Sequence, residues 1–127
     1  MPHVNKTRTT FTVTEDDTAE ALGSGDVPVL STPRLLAWCE AACVTVMGDL
    51  GPEATSVGTK VDLDHHRATP IGATVIIHAR LSGRDGRRHT FDVAVEHDLG
   101  EGPVSVAHAT LTRVVVRRES FLTRITA

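Results

Sequence analysis

The stretch that most constrains this chain runs from Ser31-Thr32-Pro33 to Gly51, the one segment that reads as a long helix. Thr32 suits the N-cap and Pro33 the first helical position, where a missing N–H costs nothing. Gly48 and Gly51, with Pro52, supply the stop. At about 100° per residue, Leu36, Cys39, Glu40, Cys43, Met47 and Leu50 fall within one arc of roughly 100°, with Trp38, Thr45 and Asp49 on the far side. A helix with only a core to fill would carry an aliphatic residue at position 40. A carboxylate there means that something else shares the apolar face, or that Glu40 sits at the stripe's edge and reaches solvent or a basic partner.

The remaining chain is mostly β-patterned. Lys6 to Thr14 is rich in β-branched residues and reads as a first strand. Glu15 to Val27 reads as a flexible connection with a turn or two of helix around Thr18 to Leu22. After the helix the period becomes two: Val57, Thr59, Val61, Leu63 and His65 share one face, and Gly58, Lys60, Asp62 and Asp64 the other. Thr74 to Ser82, His89 to His97 and Val104 to Arg117 follow as strands, joined by turns at Arg84-Asp85-Gly86-Arg87 and Leu99 to Pro103. The last ten residues have no clear pattern. One strand, one long helix and four strands in meander-like succession define an α+β domain, an antiparallel sheet wrapped around a single helix over residues 1–127. Such a sheet has two edges, and covering one with a second copy predicts a homodimer.

Composition excludes several classes of function. A net charge of −3 and three Phe, one Trp and no Tyr leave no interleaving of basic and stacking residues, so nucleic acid is not the expected partner. Cys39 and Cys43, four apart on one helical face, suit small core residues better than a bridge and fit a reducing, cytoplasmic setting. The start, Met1 to Arg8, has no apolar leader core, and no stretch approaches the roughly 18 apolar residues of a membrane span. Asp62, Asp64 and His66 would converge on one strand face, but a solvated acidic edge explains them better than a metal site.

His65 ends the apolar face of its strand and points toward whatever covers it, which makes Glu40 a plausible neighbour. A carboxylate beside an imidazole in a partly dry cleft can perform acid–base chemistry. The bland alternatives are a strand-end histidine that is merely satisfied and a threonine that only caps its helix. Used differently, a hydroxyl beside free amides at a helix N-terminus can hold a carbonyl oxygen as it gains charge.

Three stretches carry a family likeness: S-T-P-R-L-L-A-W-C-E-A-A-C-V on the helix, S-V-G-T-K-V-D-L-D-H-H-R-A-T-P-I-G after it, and the hairpin R-L-S-G-R-D-G-R-R-H-T-F-D-V-A-V-E-H-D. In these the chain resembles the hotdog-fold thioesterases, specifically the fluoroacetyl-CoA thioesterase family. The resemblance implies a hotdog dimer that hydrolyses an acyl-CoA thioester with no cofactor, coenzyme A being part of the substrate. Thr32, Glu40 and His65 would be the catalytic residues. Thr32 and the Gly58 N–H would hold the carbonyl, Glu40 would attack or activate water, and His65 would move protons. A weaker match at T-R-V-V-V-R-R-E-S-F sets Arg113 on a family arginine that contacts CoA or braces the site. The family's lid phenylalanines have no counterpart in Ala21 to Pro28, which implies a more open site for a different acyl group. Hotdog domains also include hydratases and acyl binders without turnover, the alternative functions.

Overall fold

The computed structural model describes residues 5–126; the first four residues, where the leader reading begins, and Ala127 lie outside it. Its elements are β1 (Lys6–Thr12), a short 3-10 turn (Glu15–Asp17), α1 (Ala19–Leu22), α2 (Thr32–Met47), β2 (Ala54–His65), β3 (Thr74–Asp85), β4 (Arg88–Asp98), β5 (Pro103–Arg117) and α3 (Arg118–Thr126). The five strands form one antiparallel sheet in the order β1-β3-β4-β5-β2. Only β3, β4 and β5 form a meander. β2 crosses to the far edge to pair with β5, so the expected succession fails at its first step.

Helix α2 lies across the inner face of this sheet. Leu35, Cys39, Ala42 and Cys43 are buried against Val75, Ile77, Phe91, Val93, Val95 and Leu111. The buried stripe is therefore rotated toward Leu35 and Ala42 from the arc read in the sequence. The rotation leaves Glu40 on its rim, with about a third of its side chain exposed. Trp38 is not on a far, wet side. It is half-buried and stacks on Phe11 of β1, centroids 4.5 Å apart and planes within 1°. Gly48, at φ 70°, ends the helix where a side chain would be strained.

The helix start also differs from the sequence reading. Ser31, not Thr32, is the N-cap: its Oγ accepts the Arg34 N–H at 3.1 Å. Backbone pairing holds Ser31 extended, since Leu30 N–H reaches the Thr69 carbonyl at 2.9 Å and Ser31 N–H the Asp17 carbonyl at 2.9 Å. Segment 15–27 is thus tied into the fold rather than a loose connection. Thr18 and Ala19 are buried, and Asp17 pairs with Arg34 at 3.1 Å. Because Ser31 takes the cap, the Thr32 hydroxyl remains available for something else.

Strand β2 carries the other departure. Its register with β5 slips between Gly58 and Lys60, a bulge that leaves Thr59 as the extra residue. Parity reverses across it. Val61, Leu63 and His65 keep the inner face with Leu111 and Ala109, whereas Val57 turns outward opposite Val114. Ser56 and Gly58 turn inward opposite Val115 and Arg113. The sequence reading put Gly58 on the wet face; the bulge moves it under α2.

Candidate active site

Five residues were expected at the site, and within one chain they fall into two groups. At the first, β5 delivers Arg113 to the inner face. Its guanidinium donates from Nε to Ser56 Oγ (2.9 Å), from Nη2 to the Ser56 carbonyl (2.9 Å) and from Nη1 to Glu40 Oε2 (3.1 Å). Three donors held by three acceptors fix the planar fork, and its side chain is only 11% exposed. Glu40 in turn lies against Gly58. A Cβ at position 58 would stand 2.7 Å from Glu40 Oε2, inside van der Waals contact. Glycine there permits the close approach of the carboxylate, and no unusual φ calls for it. The basic partner that a stripe-edge glutamate needs is Arg113.

At the second, the freed Thr32 hydroxyl meets His65, Oγ1 to Nδ1 2.8 Å. His65 Nε2 is buried without a hydrogen-bond partner. Burial, the largest influence, lowers the His65 pKa below its ordinary value; a backbone bond at Arg67 opposes this and the neighbouring His66 adds to it. The imidazole is therefore neutral near pH 7 and its free nitrogen unsolvated.

No hydrogen bond or ion pair joins Glu40 to His65 in the described chain. Eight residues of helix separate Thr32 from Glu40, about 12 Å along the axis. β2 runs the opposite way, so Gly58 lies by Glu40 and His65 by Thr32. Sequence reasoning missed Ser56, which clamps Arg113 at two points; once the bulge is known, its place two residues before Gly58 gives it away. It also missed Thr69 and His97, a buried pair at 2.7 Å beneath the loop that positions Ser31. A cavity of about 830 Å³ lies on the outer face of the sheet among Arg8, His78, Arg80 and Asp92, away from both groups. No cluster of three His, Cys, Asp or Glu suited to a metal occurs among the described residues. Cys39 and Cys43 are free thiols whose pKa values burial pushes up to about 12, so neither serves as a nucleophile.

A single helix laid in a five-stranded antiparallel sheet is the hotdog fold, the architecture of the thioesterase superfamily. A thioesterase superfamily member of Thermus thermophilus superposes with a TM-score of 0.85 at 20% identity, over 98% of this chain and 93% of that one. The chain belongs to the fluoroacetyl-CoA-specific thioesterase family, whose pattern matches residues 13–119. It is 34% identical over 98 residues to the fluoroacetyl-CoA thioesterase of Streptantibioticus cattleyicolor, covering 76% of this chain and 68% of that protein. A solved structure of the fluoroacetyl-CoA thioesterase FlK superposes with a TM-score of 0.84 at 27% identity, over 99% of this chain and 96% of that one. A variant of it in complex with acetyl-CoA gives 0.85 at 26%, over 99% and 97%. The chain is accordingly a thioester hydrolase. No helix among the described residues is long and apolar enough to cross a membrane.

Proposed function

We propose that this protein hydrolyses an acyl-CoA thioester at a site built from Glu40 and Gly58 of one copy and Thr32 and His65 of a second. The observation that carries this reading is the Glu40 carboxylate, held by Arg113 so close to Gly58 that a Cβ there would displace it. The open edge of β2 supports the homodimer, because Val61 stands there 42% exposed on the strand's apolar side. A twofold axis at Asp62, running β2 antiparallel to its copy with Thr59 bulged out of the pairing, would set Gly58 opposite the second copy's His65. The two groups that one chain keeps apart would then face one another.

The chemistry follows from the groups present. Glu40 takes a proton from water as the water oxygen attacks the thioester carbonyl. Negative charge grows on the carbonyl oxygen, where the Thr32 hydroxyl and the Gly58 N–H stabilise it. The C–S bond breaks, and the proton that Glu40 took passes by way of His65 to the departing CoA sulfur, so that both side chains return to their starting protonation states. Water and these side chains suffice, so no cofactor is invoked. The Thr32–His65 contact favours a second reading, in which His65 removes the Thr32 proton and Thr32 Oγ1 attacks to give an acyl-enzyme. Residues 21–28 offer no aromatic lid, so the substrate is an acyl-CoA other than fluoroacetyl-CoA. The free, buried cysteines support a reducing cytoplasmic setting.

CoA release from a series of acyl-CoAs of increasing length tests this directly. Glu40→Gln and His65→Ala should each slow release about 10²–10⁴-fold in folded protein. Unchanged rates in both would end the site assignment. A mass increase equal to the acyl group on Thr32 in the Glu40→Gln variant would select the covalent route. Hydration of an enoyl-CoA, or binding without free thiol, would instead point to the hydratase or binder functions.

A further inference from the structure

Six of the 13 basic residues of this net-acidic chain are Arg84, Arg87, Arg88, Arg117, Arg118 and Arg124, gathered on the β3–β4 turn, the end of β5 and α3. Three of them, Arg87, Arg117 and Arg124, line a single cleft of about 430 Å³ between α3 and the outer face of the sheet. Its floor is apolar and partly aromatic: Val57, Val114 and Phe121. All three arginines are exposed, and none makes an ion pair among the described residues. The nearby acids, Glu53 and Glu119, do not line this cleft; they share adjoining hollows with Arg117, Arg118 and Arg124 without forming an ion pair among the described residues. A volume within the ordinary range for small-molecule sites, an apolar floor and unneutralised guanidinium groups suit a flat aromatic body carrying phosphates.

We infer that this cleft binds the phosphorylated nucleotide end of the substrate, the 3′-phosphorylated adenosine diphosphate of an acyl-CoA. The inference rests on the acyl-CoA reading above and adds where the far end of that substrate goes. The β2 bulge sets the two places side by side. Gly58 faces Glu40 on the inner side, while its chain neighbours Val57 and Thr59 line the cleft on the outer side. Where β2 pairs with the second copy it is no longer a free edge, so a flexible pantetheine arm would pass around the Ala54 end of the strand, four residues from Gly58, and not through the sheet. The adenine would lie against Phe121 and the valines, with the phosphates among Arg87, Arg117 and Arg124.

The test compares acetyl-CoA with S-acetyl-N-acetylcysteamine, a thioester without the nucleotide. In Arg117→Gln and Arg124→Gln the preference for acetyl-CoA, as the ratio of the two kcat/KM values, should fall about tenfold each, through KM. Added salt should erode the wild-type preference in the same direction. A ratio equal to wild type in both variants overturns the proposal. Should Arg124→Gln unfold α3, Arg87→Gln on the β3–β4 turn must give the same fall. If neither thioester is hydrolysed, the catalytic reading has failed, and calorimetric titration with adenosine 3′,5′-bisphosphate still decides the subsite. Wild-type binding weakened about tenfold by Arg117→Gln supports it; equal binding, or equal competition by inorganic phosphate at the same concentration, refutes it.

Discussion

At the scale of single residues, the site depends on an atom that is absent. Gly58 has no Cβ, and Glu40 Oε2 occupies part of the space where one would stand. The obstacle to a larger residue is the tip of a flexible side chain, not backbone, so the fold can accept a methyl group by moving the carboxylate. Gly58→Ala should therefore keep the thermal midpoint within a few degrees of wild type, a change of about 1 kcal/mol or less. Glu40 would swing away from its ordered position, and kcat should fall about 10²-fold, as a displacement near 1 Å at a reacting group predicts. A stability loss of several kcal/mol with normal kcat per folded molecule would show instead that Gly58 is only a packing glycine. Glu40 itself was legible in the sequence, because a carboxylate breaks an apolar stripe visibly. The family likeness set Arg113 at the site, but its pairing with Glu40 was not legible. Arg113 lies 73 positions away and meets Glu40 only through sheet pairing, and Ser56 looks like an ordinary strand serine.

At the scale of elements, legibility followed how local the determining interaction is. Helix α2 could be read because its breaker glycines, its proline and its periodicity are all local, yet the cap shifted by one residue since Ser31 is held extended by distant backbone. The bulge at Thr59 left no trace, because V-G-T-K-V-D-L alternates plausibly in either register. The loop after β2 matters for the same reason: it anchors Leu30 through Thr69, and Thr69 is anchored by His97. Burial, the larger influence, and the positive charge of Arg67 both lower the His97 pKa, and burial lowers that of His65. The sign follows directly. Above pH 6.5, the ordinary histidine value, both residues are neutral folded and unfolded, and stability is complete. Below it the unfolded chain takes up protons that the folded chain resists, so stability falls until pH passes the lowered folded values. The urea midpoint should drop as pH goes from 7.5 toward 5, and less steeply in His97→Gln. A midpoint flat across that range would mean that neither histidine is held neutral by the fold.

At the scale of the whole molecule, a single chain holds the two candidate groups apart, one at the start and one at the middle of α2, and the proposed dimer would bring them together. Each half is internally satisfied in a way that suits waiting for a partner. Arg113 orders Glu40 before any substrate arrives, and Thr32 fixes the His65 ring while Nε2 is left unpaired. If the twofold arrangement holds, complementation between defective chains decides it. Glu40→Gln and His65→Ala, each nearly inactive alone, are unfolded together at equal concentration and refolded. Half of the resulting dimers are mixed. In a mixed dimer one site then carries both defects, while the other combines an intact Glu40 with an intact His65 from the opposite chain. Activity should recover to about a quarter of wild type, one good site in each mixed dimer. If each site instead lies within one chain, every site in the mixture keeps one defect, and activity stays at the level of the separate variants. Recovery would also favour a symmetry axis at Asp62, because that register, with Thr59 bulged out, brings residues 58 and 65 of opposite chains across from one another. Val61→Asp should then set a carboxylate against Leu63 of the second copy on each side of that axis and shift the sedimentation coefficient to that of a monomer. It should silence hydrolysis although no residue of either half-site has changed.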